Sequence, residues 1–249
     1  MELANKVCLI TGGTSGIGAA TAIELARRGA NVAIAGLQVD STACAAKAAI
    51  ESFGRKCQLA ALDVTSPGAA TDWVEQAARA LGGVDVLVHC AGAPVQGGLL
   101  EVTEQAWYFA FDLHVHAIFH LCRAAVPLMR TRGEGAIALI SSAAGTRGCL
   151  GAAAYGVAKG AIPQFTRTLA RELADDNIRV NCVSPGIIRT PFQNYLTAEQ
   201  VRNNTENRIP LHREGTPEDV AKAIAALITN DFITGENLAI DGGMTMRVA

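Results

Sequence analysis

Tyr155 and Lys159 stand four positions apart in the segment AYGVAKG, residues 154–160, where every other side chain is small. On a helix that spacing puts both on one face, one turn apart. A free phenol titrates at about 10, and a unit charge about 4 Å away at an effective dielectric of ~20 is worth on the order of 4 kcal/mol, or about three pKa units. A tyrosine so placed is expected to approach neutrality, where it can give a proton to an alcohol oxygen or take one from it. Thirteen residues upstream, Ser142 ends the apolar run GAIALISS at 135–142. Its hydroxyl is suited to steadying an oxygen whose charge changes. Proton transfer paired with a hydroxyl donor is what hydride chemistry at carbon requires, and hydride chemistry requires a cofactor.

A second constellation supplies a place for one. TGGTSGIG at 11–18 follows the apolar run KVCLIT at 6–11 and opens an amphipathic helical stretch. Gly12, Gly16 and Gly18 let the backbone turn tightly, approach a pyrophosphate and pack the helix on the sheet, with Thr14, Ser15 and Ile17 completing the turn. The helix N-terminus adds N–H donors and a positive dipole. The spacing reads GxxxGxG, not GxGxxG, and no Lys follows Gly18, which excludes a P-loop. A bare turn without ligand has the same composition. About 20 residues on, where a dinucleotide's ribose is read, the chain has Gly36, Leu37 and Gln38. Neither the acid that favours NAD nor the Arg that favours NADP is present, so either cofactor is open. The lack of a repelling carboxylate, with Ser41 and Thr42 nearby, inclines the reading to NADP. Asp63, followed by Val64, is placed either to accept from an adenine amino group or to cap a helix before TSPGAA.

Elements that position these groups are legible as periodicity. Strand-like runs at 6–11, 31–36, 56–63, 84–91, 135–142, 178–185 and 237–241 alternate with helical stretches near 17–28, 41–53, 68–81, 104–130, 153–175 and 217–229. This alternation predicts an α/β fold of the Rossmann type, doubly wound, with a seven-stranded parallel sheet and helices on both faces. The length of 249 residues fits one domain, 1–249. The interval 186–215 shows no strand and is read as a substrate lid.

Composition excludes several classes. A formal charge of −2 without a basic block argues against nucleic acid as a partner. No apolar run reaches about 18 residues, and the opening MELANKVCLITGG lacks the basic region of a signal peptide, so a cytoplasmic protein away from membranes is expected. Seven scattered cysteines without a CxxC pair read as reduced thiols. A GxSxG elbow is absent, which sets aside an α/β-hydrolase.

TGxxxGxG, the Ser pair ending the fifth run, Tyr-x-x-x-Lys thirteen residues on, and SPGIIRT after the sixth run together resemble the short-chain dehydrogenase/reductase family, in order and interval along essentially the whole chain. The resemblance implies Tyr155 as acid/base, Ser142 on the substrate oxygen, and Lys159 on the nicotinamide ribose while lowering the tyrosine pKa. It places Pro185, Gly186, Ile188 and Thr190 around the carboxamide, and Cys90, Ala91 and Gly92 along the adenosine side. It further implies a small-molecule alcohol or ketone substrate (a polyol, sugar, hydroxy acid or 3-oxoacyl compound) and a homotetramer or homodimer. Positive mean hydropathy, +0.24, agrees with covered apolar surface. The competing reading is a dinucleotide-binding sensor or scaffold, which has no need of an acidified phenol.

Two departures stand out. His89-Cys90-Ala91-Gly92 occupies the place of the family's Asn-Asn-Ala-Gly, and His114, seven past Trp107, replaces the fourth catalytic residue, an Asn. In the family that Asn acts largely through its backbone carbonyl, so a His either preserves the proton path or, as an imidazole titrating at about 6.5, gates it. His116 and His120 share a helix face but lack the carboxylate of a zinc motif and read as packing, so no metal is expected. Cys90 and Cys149 have no neighbouring base and read as spacers. Substrate walls are expected at 93–98, at 143–150, where Arg147 is a candidate for an anion, and around Phe192, Gln193, Asn194 and Tyr195.

Overall fold

The apolar runs lack the alternation of a sheet with one wet face, so the strands they form must be covered on both sides. The structure, a computed structural model, describes residues 1–193 and 196–246. In it β1 (Val7–Thr11), β2 (Asn31–Gly36), β3 (Cys57–Ala61), β4 (Val86–His89), β5 (Gly135–Ile140), β6 (Ile178–Pro185) and β7 (Asn237–Ile240) form one sheet. The order is β3-β2-β1-β4-β5-β6-β7, and every pairing is parallel. The direction of winding reverses between β1 and β4. Ligands of open α/β sheets bind in the crevice at that switch, beyond the carboxyl ends of the strands.

Helices α1 (Gly16–Arg27), α2 (Ser41–Ser52), α3 (Pro67–Leu81), α4 (Glu104–Phe111), α5 (Ala117–Arg132), α6 (Ala143–Thr146), α7 (Ala153–Glu172), α8 (Ala198–Asn203) and α9 (Pro217–Thr229) complete the chain. One apolar layer joins Leu9, Leu87 and Leu139 of the sheet to Trp73 of α3, Leu121 of α5 and Ile162 of α7. The opposite layer joins Ile10, Ile34 and Val88 to Leu25 of α1, Ile50 of α2 and Ile224 of α9. Among the described residues no helix is long and apolar enough to cross a membrane.

Two expectations need correction and a third gains detail. The single helix expected over 104–130 is interrupted by a π-turn at Asp112–His116; an extra residue per turn there lets the chain serve both the sheet and the crevice. The strands expected at 56–63 and 84–91 are shorter, because Leu62 N leaves the ladder on a last bond to Gly36 O at 2.8 Å and Cys90 N on one to Thr11 O at 3.0 Å. The interval 186–215 is not bare loop: it holds a 3₁₀ turn at Pro191–Gln193, α8 with a Thr197/Gln200 capping box, and a second π-turn at Asn204–Arg208. Asn194 and Tyr195 lie outside the described residues.

At the amino edge of the sheet, away from the crevice, Asp85 is fully buried. Its carboxylate accepts from Val7 N at 2.8 Å, pairs with Arg132 Nε at 3.0 Å and lies 3.5 Å from Lys6 Nζ. Three donors on one buried carboxylate fasten β1, β4 and the end of α5 together. Asp85→Leu, which strands Arg132 and a strand N–H and leaves Lys6 to Glu134 alone, is expected to cost about 3 kcal/mol in urea unfolding while leaving cofactor affinity unchanged; a loss under about 1 kcal/mol would show that the carboxylate does not clamp these elements.

Candidate active site

β1 ends at the glycine turn, and the turn's geometry follows from close approach. Gly12 has φ +64°, and a Cβ there would stand 2.7 Å from Ala91 N. Only glycine lets the turn lie against the loop that follows β4. The N-cap Ser15 makes no side-chain cap bond, so the first turn of α1 keeps its N–H donors for another acceptor. A crevice of about 1390 Å³ begins here, lined at this end by Gly12, Ser15, Gly16, Ile17 and Gly18, and opposite them by Cys90, Ala91 and Gly92.

Deeper in, the same crevice is lined by Ser142, Tyr155, Lys159 and His114, and its far wall by Pro185, Gly186, Ile188 and Thr190. Ser142 caps α6: its Oγ accepts from Ala144 N at 3.1 Å, which leaves the hydroxyl proton to donate. Helix α7 presents Tyr155 and Lys159 on one face. It is tied to β5 by the Ser141 hydroxyl, which donates to Lys159 O at 2.8 Å. Lys159 is buried, its Nζ donating to Ile140 O at 2.7 Å and lying 5.8 Å from the centre of the Tyr155 ring. Burial pushes the lysine down to about 7. The sequence reading assumed a permanent cation about 4 Å away; the structure gives an amine that titrates near neutrality.

His114 occupies the π-turn and is fully buried, with its ring perpendicular to Tyr155 at 5.4 Å between centres. Its Nε2 lies 3.1 Å from Ala93 O. Burial, and after it the charge of Lys159, hold this imidazole well below 6.5. Desolvation thus works against the titration near neutrality expected from sequence and favours the uncharged ring. His89 is likewise pushed down to about 3, first by burial and then by Lys159. Burial pushes the Cys90 thiol up to about 12, so it stays protonated, and Cys149 is exposed on the rim.

Four residues expected at the cofactor do not line this crevice. Thr14 packs against Gly36, where a Cβ would meet Thr14 Oγ1 at 2.3 Å. Val64 is buried in the core under α3. Asp63 is exposed and binds Thr65 N and Oγ1 at 2.9 and 2.7 Å, while Ser66, not Asp63, is the N-cap of α3. Leu37 is 76% exposed just past β2. The two other histidines of the helix face are also accounted for: His116 Nδ1 meets Asp112 Oδ1 at 2.8 Å and His120 stacks edge-on against Phe119.

Of the substrate walls expected at 93–98 and 143–150, residues 93–97, 143, 144 and 147–150 line the crevice, and the two segments are pinned together, Gly97 N donating to Gly151 O at 2.8 Å and Ala153 N to Gly97 O at 3.0 Å. Phe192 packs 6.2 Å from the Tyr155 ring. Sequence reasoning missed Glu101, the polar lid face of Gln200, Asn204, Asn207 and Arg208, and Met244 with Thr245. The amide-rich string QVRNNTENR at 200–208 was the available signal for the lid; nothing local marks 244–245, which the half-buried Asp241 carboxylate holds through Thr245 N at 2.8 Å and Gly243 N at 2.8 Å.

Comparison with known proteins agrees with this geometry. Residues 12–245 match the family model described as enoyl-(acyl carrier protein) reductase. The 3-oxoacyl-[acyl-carrier-protein] reductase FabG of Thermotoga maritima is 36% identical over 248 residues, spanning 99% of this chain and 100% of that one. The dehydrogenase/reductase SDR family member 4 of Homo sapiens is 35% identical over 250 residues, spanning 99% of this chain and 90% of that one. Among solved structures, L-sorbose reductase from Gluconobacter frateurii, complexed with NADPH and L-sorbose, superposes with a TM-score of 0.92 at 32% identity over the full length of both chains. With its motifs, its sheet order and its relatives in agreement from end to end, the chain belongs to the short-chain dehydrogenase/reductase family, oxidoreductases that use NAD(P) on secondary alcohols and ketones.

Proposed function

We propose that the protein is an NADPH-preferring reductase of a small, oxygen-rich ketone, working in reverse on the matching secondary alcohol, with Tyr155 as acid/base. The observation that carries this reading is the meeting of Ser142, Tyr155 and a buried Lys159 in the crevice that the glycine turn opens. The residues fit a dinucleotide. The tight turn at Gly12 and the uncapped α1 suit a pyrophosphate, with Leu37 and Asp63 beyond β2 and β3 on the adenosine side. Pro185, Gly186, Ile188 and Thr190 bracket the carboxamide, and the nicotinamide, when bound, supplies or removes the hydride. Ser142 donates to the carbonyl oxygen and orients it. Tyr155 passes its hydroxyl proton to that oxygen as charge builds there, and Lys159 steadies the phenolate left behind.

NADPH is favoured because no carboxylate stands at 36–38 to repel a 2′-phosphate, and the G. frateurii relative is described with NADPH. The oxygen-rich substrate follows from the lid. Asn204 is buried, its Oδ1 held by Arg208 Nη1 at 2.9 Å, and its Nδ2 donor has no acceptor. Gln96 and Arg147 face the same chamber and give hydroxyls and carbonyls partners among the apolar Val95, Leu150, Phe192 and Met244. The FabG relatives point instead to an acyl thioester, and a panel setting ketoses against 3-oxoacyl thioesters separates the two readings. Exposed Tyr108, Phe109 and Phe119 on α4 and α5, with Phe232 and Leu238 beside the edge strand β7, support a homodimer or homotetramer.

Three outcomes are expected. Tyr155→Phe lowers turnover by about 10²- to 10⁴-fold with NADPH affinity retained in fluorescence titrations; normal turnover would sink the assignment. Leu37→Asp reverses the cofactor preference by placing a carboxylate against the 2′-phosphate, read as NADPH affinity falling at least tenfold (about 1.4 kcal/mol) relative to NADH. Lys159→Met abolishes turnover yet stabilises the protein alone. Because the folded pKa of about 7 lies below the ordinary 10.5, the folded state suffers the whole cost of the buried charge below pH 7 and none of it above pH 10.5. Setting that cost against the lost bond to Ile140 O leaves a net gain of roughly 2 kcal/mol at pH 6–7, fading as pH approaches 10.5. Thermal melts across that window without added cofactor measure it.

A further inference from the structure

The imidazoles of His89 and His114 are both buried, and each meets a backbone carbonyl. His89 ends β4 directly across from Thr11 of β1, its partner in the sheet register. Its Nε2 lies 3.3 Å from Leu113 O, and its Nδ1 lies 2.9 Å from Thr11 Oγ1. A carbonyl only accepts, so Nε2 carries the hydrogen and Nδ1 is the bare nitrogen, taking the threonine proton. Leu113 sits inside the π-turn, immediately before His114. The same reasoning makes His114 an Nε2–H donor to Ala93 O and leaves its Nδ1 as a buried acceptor with no partner. An unmet buried acceptor costs about 1–3 kcal/mol, a cost that a phenylalanine filling the same space would avoid. The ring is therefore held for something other than filling volume. It stands perpendicular to Tyr155, and a Cβ on Gly92 would come within 3.0 Å of its Cε1 and 3.9 Å of Lys159 Nζ.

We propose that His89 is a positioning residue for turnover: its Nε2–H, set by Thr11, fixes the Leu113 carbonyl of the π-turn and so seats the His114 ring against Tyr155. The sequence Thr11 hydroxyl, His89, Leu113 carbonyl, His114, Tyr155 runs from the centre of the sheet to the acid/base without a gap. Because burial keeps both imidazoles uncharged, neither hydrogen-bond direction reverses over the working pH range. Displacement of the π-turn would shift the phenol laterally against the substrate oxygen, and catalytic geometry is sensitive to shifts of about 1 Å. The inference rests on the reductase reading of the crevice.

Its test compares His89→Leu, which removes the donor, with His89→Gln, whose side-chain amide N–H occupies nearly the place of Nε2–H. His89→Leu is expected to lower kcat about tenfold or more with KM and NADPH affinity changed less than about threefold, and His89→Gln to restore most of the loss. In a His114→Leu background, His89→Leu should add less than about twofold, since the two residues act in series. Multiplicative losses, an effect confined to KM, or a Gln variant as poor as the Leu variant would overturn the proposal. Long-range proton–nitrogen NMR of the ¹⁵N-histidine-labelled wild-type protein without cofactor gives a readout that needs neither variant nor turnover. Nε2–H tautomers at both residues are expected. An Nδ1–H or doubly protonated His89 removes the bond to Leu113 and ends the proposal, whereas absence of turnover with every substrate would discard the reductase reading and leave the tautomers to be judged alone.

Discussion

The site depends on an amine kept out of water. Lys159 leaves α7 toward the end of β5, where its Nζ meets the last carbonyl of that strand, Ile140 O, and among the described residues no carboxylate comes near enough to compensate the charge. Everything around it follows from making that burial possible. The Ser141 hydroxyl fastens the lysine's own carbonyl to the sheet. The start of α7 rides so close to α6 that a Cβ on Gly145 would come 2.6 Å from the Lys159 carbonyl carbon. The small residues that make AYGVAKG a poor core are what allow an amine and a phenol to sit against the sheet edge at once.

The two ends of the sheet treat charge in opposite ways. At the amino edge Asp85 is buried among Lys6, Arg132 and a strand N–H, so its charge is met on several sides. At the carboxyl edge the buried lysine has a neutral carbonyl and neutral neighbours. The first arrangement secures the fold; the second places a destabilised group where chemistry occurs, the usual relation between a stable scaffold and a strained site.

Much of this was legible in the residue order. The seven runs became seven parallel strands because fully covered strands leave continuous apolar signatures, and the Ser142, Tyr155, Lys159 spacing survived folding because both helix and strand termini are fixed by short connections. The π-turn was not legible. AWYFAFDLHVHAIFH has unbroken helical periodicity, and the reason for the extra residue lies in His89, on a strand 24 positions away. The low pKa of Lys159 and of both histidines was equally hidden, since desolvation depends on what packs above a residue and not on its neighbours in sequence. Thr14, Asp63 and Val64 lie off the crevice lining for a simpler reason: small polar or branched groups after strands satisfy turns and cores as readily as they meet ligands.

The departures from the family pattern gather around the same amine. Where the family has amides, residues 89, 90 and 114 bring two uncharged imidazoles and a protonated thiol into the shell that adjoins Lys159. None of these groups carries a negative charge at neutral pH, and each excludes water from the pocket. Burial in this shell favours the neutral amine and brings it down to about 7, while Cys90 acts in the opposite direction. An amine lowered in this direction can hold a proton near the phenol and can also release one. A lysine fixed as a cation near 10.5 would offer only the electrostatic half of that service.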